Sequence, residues 1–146
     1  MADEQAPPPQ PAAAPASKLP TELQTAGASS DDRSMAMIAH ILCLASFLGP
    51  LILYLMKKDG ASKFLKFHML QALWFQVAVC ILFVVMIMLT IVATIVTAGI
   101  ASCVCFPFIS LIGLGNLVYF IIGAITVNGG KDFEYMVVGP WVRKSL

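Results

Sequence analysis

Charge is what this chain has least of. Only 12% of its residues are Asp, Glu, Lys or Arg, about half the roughly 25% of an average soluble domain, and from Met69 to Val127 there is none of these and no histidine. A shorter run, Met35 to Met56, is interrupted only by His40. A bilayer core roughly 30 Å thick takes about 20 apolar residues per helix, so runs of this length exclude a soluble core. The net charge of +1 gives no field to attract nucleic acid, and the basic residues instead sit beside the apolar runs, where lipid head groups would meet them. Cysteine is also scarce. Cys43 and Cys80 lie in apolar runs and Cys103 and Cys105 are one residue apart, which gives no disulfide framework. A basic, then apolar, leader is missing as well: the start Met1-Ala2-Asp3-Glu4 is acidic, so no signal peptide is expected. Within the apolar runs there is no carboxylate, no lysine and no nucleophile paired with a base, which leaves no catalytic residue to name and argues against an enzyme.

What is present is apolar: 59% of the chain is hydrophobic. The expectation is an all-α integral membrane bundle of three transmembrane helices, near residues 35–56, 69–98 and 106–127. A Pro/Ala-rich tail over 1–30 is expected to be disordered, and a polar and aromatic tail fills 128–146. Asp31, Asp32 or Ser34 would cap the first helix, which would end at Lys57-Lys58-Asp59-Gly60. Gly49-Pro50 falls inside it and predicts a kink, with a re-entrant hairpin as the alternative. Ser62 would cap the second helix, whose opening, Lys63-Phe64-Leu65-Lys66-Phe67-His68, mixes cations and rings as a membrane interface does. Gly99 to Pro107 would form the turn into the third helix, which would stop at Asn128-Gly129-Gly130.

Three spans and the positive-inside rule place the N-terminus outside and the C-terminus in the cytoplasm. If residues 35–56 re-enter instead, all nine basic residues lie inside. Both arrangements put Lys57, Lys58, Lys63 and Lys66 in the cytoplasm, against anionic lipid head groups.

His40 lies one turn from Cys43, and His68 opens the second helix. A proton relay, a metal or a haem between two histidines is the sharp reading, and a neutral imidazole bonded between helices is the bland and preferred one. Cys103-Val104-Cys105 is an incomplete zinc site with no third ligand nearby, so it reads as packing. Thr90, Thr94 and Thr97 make a polar stripe, with Gly115, Tyr119 and Gly123 as a small-residue stripe opposite and Asn116 beside it. Close helix packing is the leading interpretation and a pore formed by several copies the alternative. Gln71 and Gln76 join His40, His68, Thr90, Thr94 and Asn116 as candidate functional or packing residues. No cofactor or metal is expected.

Several segments in order resemble one family. Asp32-Arg33-Ser34-Met35-Ala36-Met37-Ile38-Ala39-His40, Gly49-Pro50-Leu51-Ile52-Leu53-Tyr54-Leu55-Met56-Lys57-Lys58-Asp59, Phe67-His68-Met69-Leu70-Gln71-Ala72-Leu73-Trp74-Phe75-Gln76 and Asn128-Gly129-Gly130-Lys131-Asp132-Phe133-Glu134-Tyr135 are similar to the Tic-twenty-like small membrane proteins, related to a chloroplast inner-envelope import component. Met136 stands where a proline often follows the tail tyrosine, and three spans stand where the plastid relatives have four. The resemblance implies a helical bundle without cofactor or catalytic residues and a link to protein translocation. Together these readings give a non-enzymatic, multi-pass protein of the bacterial inner membrane that acts by association with itself or another membrane protein. A homo-oligomeric channel or small-solute transporter is the alternative.

Overall fold

The computed structural model describes residues 19–146, all helix and loop with no strand among them. The expected disorder of residues 1–18 lies outside the described residues. Helix α1 spans Ser30–Ile41 and runs into a 3-10 turn, Leu42–Ala45; α2 spans Leu48–Lys57, α3 Lys63–Val96, α4 Ile100–Asn128 and α5 Val138–Ser145.

Among the described residues, only α3 and α4 are long and apolar enough to cross a membrane. The third expected crossing, residues 35–56, is corrected: it folds as two short helices, and the break is not at Gly49-Pro50. Ser46, at φ 67° and ψ −169°, reverses the chain three residues earlier. Gly49 and Pro50 then open α2. A proline in the first turn breaks no helical hydrogen bond, because the N–H groups there have no intrahelical partner. The first bond of α2 runs from Leu51 N–H to Phe47 C=O (3.1 Å). Gly49 is where the two arms of the reversal touch, since a Cβ there would run into the carbonyl of Leu42. The outcome is a helical hairpin that brings Asp31, Asp32 and Met35 at the start of α1 beside Met56 and Lys57 at the end of α2, around a shared cleft.

The caps follow helix-terminus chemistry. Ser29, rather than Asp31, Asp32 or Ser34, caps α1 by accepting from Asp32 N–H (3.1 Å), and Ser62 caps α3 by accepting from Leu65 N–H (3.1 Å). The connection from α3 to α4 is tighter than Gly99 to Pro107: α4 already begins at Ile100, after Ala98 and Gly99 turn the chain with positive φ. Gly130, at φ 79°, ends α4.

The first turns of α3 and the last turns of α4 are buried by α1, by the α1–α2 hairpin and by the C-terminal segment. The small residues Ala36 and Ala39 of α1 and Cys43 of the 3-10 turn meet Phe64 and Met69 of α3 and Phe120 of α4. Residues 19–29, expected to be disordered, fold back onto this end. Leu19 and Leu23 pack with Phe67 and Val142, and Thr25 N–H donates to Asp132 Oδ1 (2.7 Å). From Ile81 onward α3 is different: Leu82, Val85, Met88, Leu89, Val92 and Val96 are all exposed.

Candidate functional site

The buried polar groups gather where α1, the start of α3 and the C-terminal segment meet. Residues 131–135 have no regular secondary structure, and their partners alternate: Phe133 and Tyr135 pack with the core, while Asp132 and Glu134 bond to Thr25 and Arg143. That alternation carries both rings into the bundle. Tyr135 is fully buried, stacked on Phe75 at 4.2 Å and edge-on to Tyr119 and Phe133. Glu134 turns outward to Arg143 of α5 (3.4 Å).

Gln71 holds this segment as a neighbouring strand would. Its Oε1 accepts from Tyr135 N–H (3.2 Å) and its Nε2 donates to Phe133 C=O (3.3 Å). Those two backbone groups fix which way the amide points, and the orientation propagates. The second hydrogen on Nε2 goes to His68 Nδ1 (2.8 Å), which is therefore an acceptor. His40 Nε2, 3.2 Å from the same nitrogen, then carries a proton and donates it, and His40 Nδ1 accepts from the Tyr135 hydroxyl (2.9 Å). The neutral His68 tautomer that remains has its proton on Nε2, a buried position without an acceptor. Burial pushes His40 down to about 3 and raises Tyr135 above the ordinary phenol range, so His40 stays neutral and Tyr135 stays a donor at neutral pH.

This arrangement ties three elements together. His40 and His68 are brought side by side with Gln71 from the candidate set. Tyr135 and Phe133, absent from that set, complete it; their signal in the sequence was the polar–aromatic alternation Asp132-Phe133-Glu134-Tyr135, which is a strand-like pattern rather than a loop. Cys43 is buried beside them with its Sγ on the carbonyls of Ala39 and Ala72 (3.6 Å each).

The other candidates lie apart. Gln76 Nε2 reaches Cys80 Sγ (4.0 Å) while its Oε1 is buried without a partner. Thr90 and Thr97 donate to carbonyls of their own helix, at Met86 (2.8 Å) and Ala93 (2.7 Å), and the Thr94 hydroxyl is buried without a partner. Asn116 is half-buried on α4. The opposing stripe does not act as one surface: a Cβ at Gly115 would meet nothing, Gly113 faces Phe83, and Gly123 lies under the ring of Phe133. Lys57 and Lys58 are exposed at the end of α2, Lys63 pairs with Glu22 (2.6 Å), and Lys66 is half-buried. No group of three or more potential metal-ligating side chains occurs among the described residues.

All the described basic residues belong to this same end. Arg33 lies beside Gly130, Lys57 flanks the cleft with Asp31, and Lys131 offers its carbonyl to Thr25 (3.1 Å), whereas the Gly99 turn at the far end is uncharged. A family model of magnetosome magnetite crystal formation proteins matches residues 31–142, from the start of α1 into α5. The chain belongs to this family, MamF/MmsF. MamF/MmsF membership makes it a membrane protein, and it overturns the resemblance to Tic-twenty-like proteins together with the translocation role that resemblance implied. The segments behind that resemblance are the α1 cap region, the α2 opening, the interfacial start of α3 and the inserted tail, features that a helical hairpin packed on two long helices requires on physical grounds. No curated protein and no solved structure matches the chain.

Proposed function

We propose that this MamF/MmsF member is a non-enzymatic component of the magnetosome membrane that bears on magnetite crystal formation through helix-mediated association with itself or a partner. The observation that carries the reading is the family match over the whole helical body, residues 31–142. In this account α3 and α4 cross the bilayer as an antiparallel pair, joined by the short turn at Gly99, and the α1–α2 hairpin and α5 lie at the basic end. The positive-inside rule puts that end in the cytoplasm. Asp31, Asp32, Asp59, Asp132 and Glu134 go with it, so among the described residues the far side presents only the small, uncharged turn around Thr97, Gly99 and Ser102. Iron, the substrate of crystal growth, would then meet no carboxylate of the described residues there, which favours an indirect role through the membrane and its other proteins. The outward faces of α3 and α4, apolar on every side, are the surface on which such association would occur.

The test is expression of the tagged chain in a magnetite-forming bacterium. The reading expects the protein in purified magnetosome membranes and a shift in crystal dimensions by electron microscopy. Retention in the cell membrane alone, with crystals of unchanged size, would overturn it.

A further inference from the structure

Between α3 and α5 runs an apolar groove of about 380 Å³, lined by Trp74, Val77, Ala78, Ile81, Val138 and Trp141. The two indole rings meet edge to face at 5.2 Å across it. Helix α5 packs antiparallel to α3. Val137 and Val138 at its start lie against Val77 and Ile81, while Val142, near its end, packs on Phe67. The C-terminal end of the groove's α5 wall therefore lies toward the start of α3, at the basic end.

Two lysines stand toward that end, on the two helices that wall the groove. Lys66 lies eight residues before Trp74 on α3 and Lys144 three after Trp141 on α5, so each flanks the groove's lining toward its basic end. The neighbouring charges are already matched, Glu134 by Arg143 and Glu22 by Lys63. Lys66 and Lys144 have no acidic partner among the described residues. An apolar slot walled by tryptophans, with cations at the membrane-surface end, has the polarity of a phospholipid read from acyl chain to phosphate.

We propose that this groove binds one anionic phospholipid, an acyl chain lying against Trp74, Ile81 and Trp141 and the phosphate held by Lys66 and Lys144. The site rests on α3 crossing the membrane and not on the role in crystal formation, so the two fail separately.

The two tryptophans of the chain are both in the groove, so its entire indole fluorescence reports on this site. Full-length protein is reconstituted in phosphatidylcholine vesicles containing equal mole fractions of chain-brominated phosphatidylglycerol or chain-brominated phosphatidylcholine. Quenching should show a preference for the anionic lipid of about thirtyfold, as two lysines at such a surface give. The preference should fall to near parity in Lys66→Gln/Lys144→Gln and persist in Lys57→Gln/Lys58→Gln. Equal quenching by the two lipids, or a preference that survives Lys66→Gln/Lys144→Gln or vanishes equally in both pairs of variants, would overturn the site. Quenching that declines as the protein-to-lipid ratio rises, with Ala78→Cys cross-linking to itself, would also overturn it and make a second copy the occupant.

Discussion

Gln71 shows how a single amide orders a bundle. Its two hydrogens and its oxygen are all used, on His68, Phe133 and Tyr135, and of these residues His68 and Tyr135 are fully buried. Gln71→Leu keeps the volume but strands a backbone N–H and a carbonyl, at about 1–3 kcal/mol each, so it should lower stability in detergent by at least about 2 kcal/mol, measured by thermal unfolding. Tyr135→Phe removes only the donor to His40 and should cost about 1–3 kcal/mol. A pH dependence follows from His40. Its folded pKa, about 3, lies below the unfolded value of 6.5, so the unfolded state binds the extra proton. The stability contributed is complete above pH 6.5 and is lost as pH falls toward 3, by about 1.4 kcal/mol per pH unit. Chemical-denaturation midpoints should be flat from pH 7 to 8 and drop below pH 6, and His40→Gln should flatten the acid limb. His40, His68 and Gln71 were legible as polar residues at odds with their surroundings, but their common partner was not. Tyr135 is 95 residues from His40, and nothing local in the sequence announces a contact at that separation.

At the scale of elements, the α1–α2 reversal is the feature that residue patterns left as the alternative to a kinked crossing. The run from Met35 to Met56 is long enough to cross a bilayer, and hydropathy reads length, not continuity. Gly49-Pro50 pointed to a disturbance within a few residues of the true break, but a proline is tolerated at the start of a helix as readily as it kinks the middle of one. Which of these holds is decided by Ser46, whose backbone lies in a region that only glycine enters freely. Ser46→Gly should therefore raise stability by about 1 kcal/mol, because relief of strain outweighs the added freedom of the unfolded chain. Gly49→Ala should do the reverse and cost more than about 2 kcal/mol, since its Cβ presses on the backbone of Leu42, which has no rotamer to move. Paired thermal melts of these two variants in one detergent would check both signs. Opposite shifts are expected, and a shift in the same direction would mean that the reversal is not held at these residues.

For the whole molecule, the two long helices were legible from the absence of charge, because a lipid-facing helix needs no pattern beyond being apolar all round. The number of crossings was not, since it depends on how α1 and α2 pack against α3 and α4. Folding the hairpin back gathers the start of α1, the loop before α3 and the end of α5 at one pole, opposite the turn at Gly99. Helix α3, about 51 Å long at 1.5 Å per residue, exceeds a bilayer core of roughly 30 Å, and the surplus is the segment that the hairpin, α5 and residues 19–29 cover. The central claim is thus a two-crossing topology with both ends of the described chain on the same side. It is tested most directly by single cysteines at Ser30, Ser62, Ala98 and Ser145 in a cysteine-free background, labelled with an impermeant maleimide in sealed vesicles of either orientation. The account predicts that positions 30, 62 and 145 are labelled together, from the cytoplasmic side, and position 98 only from the other; labelling of position 30 from the side opposite to position 62 would restore a third crossing and contradict it.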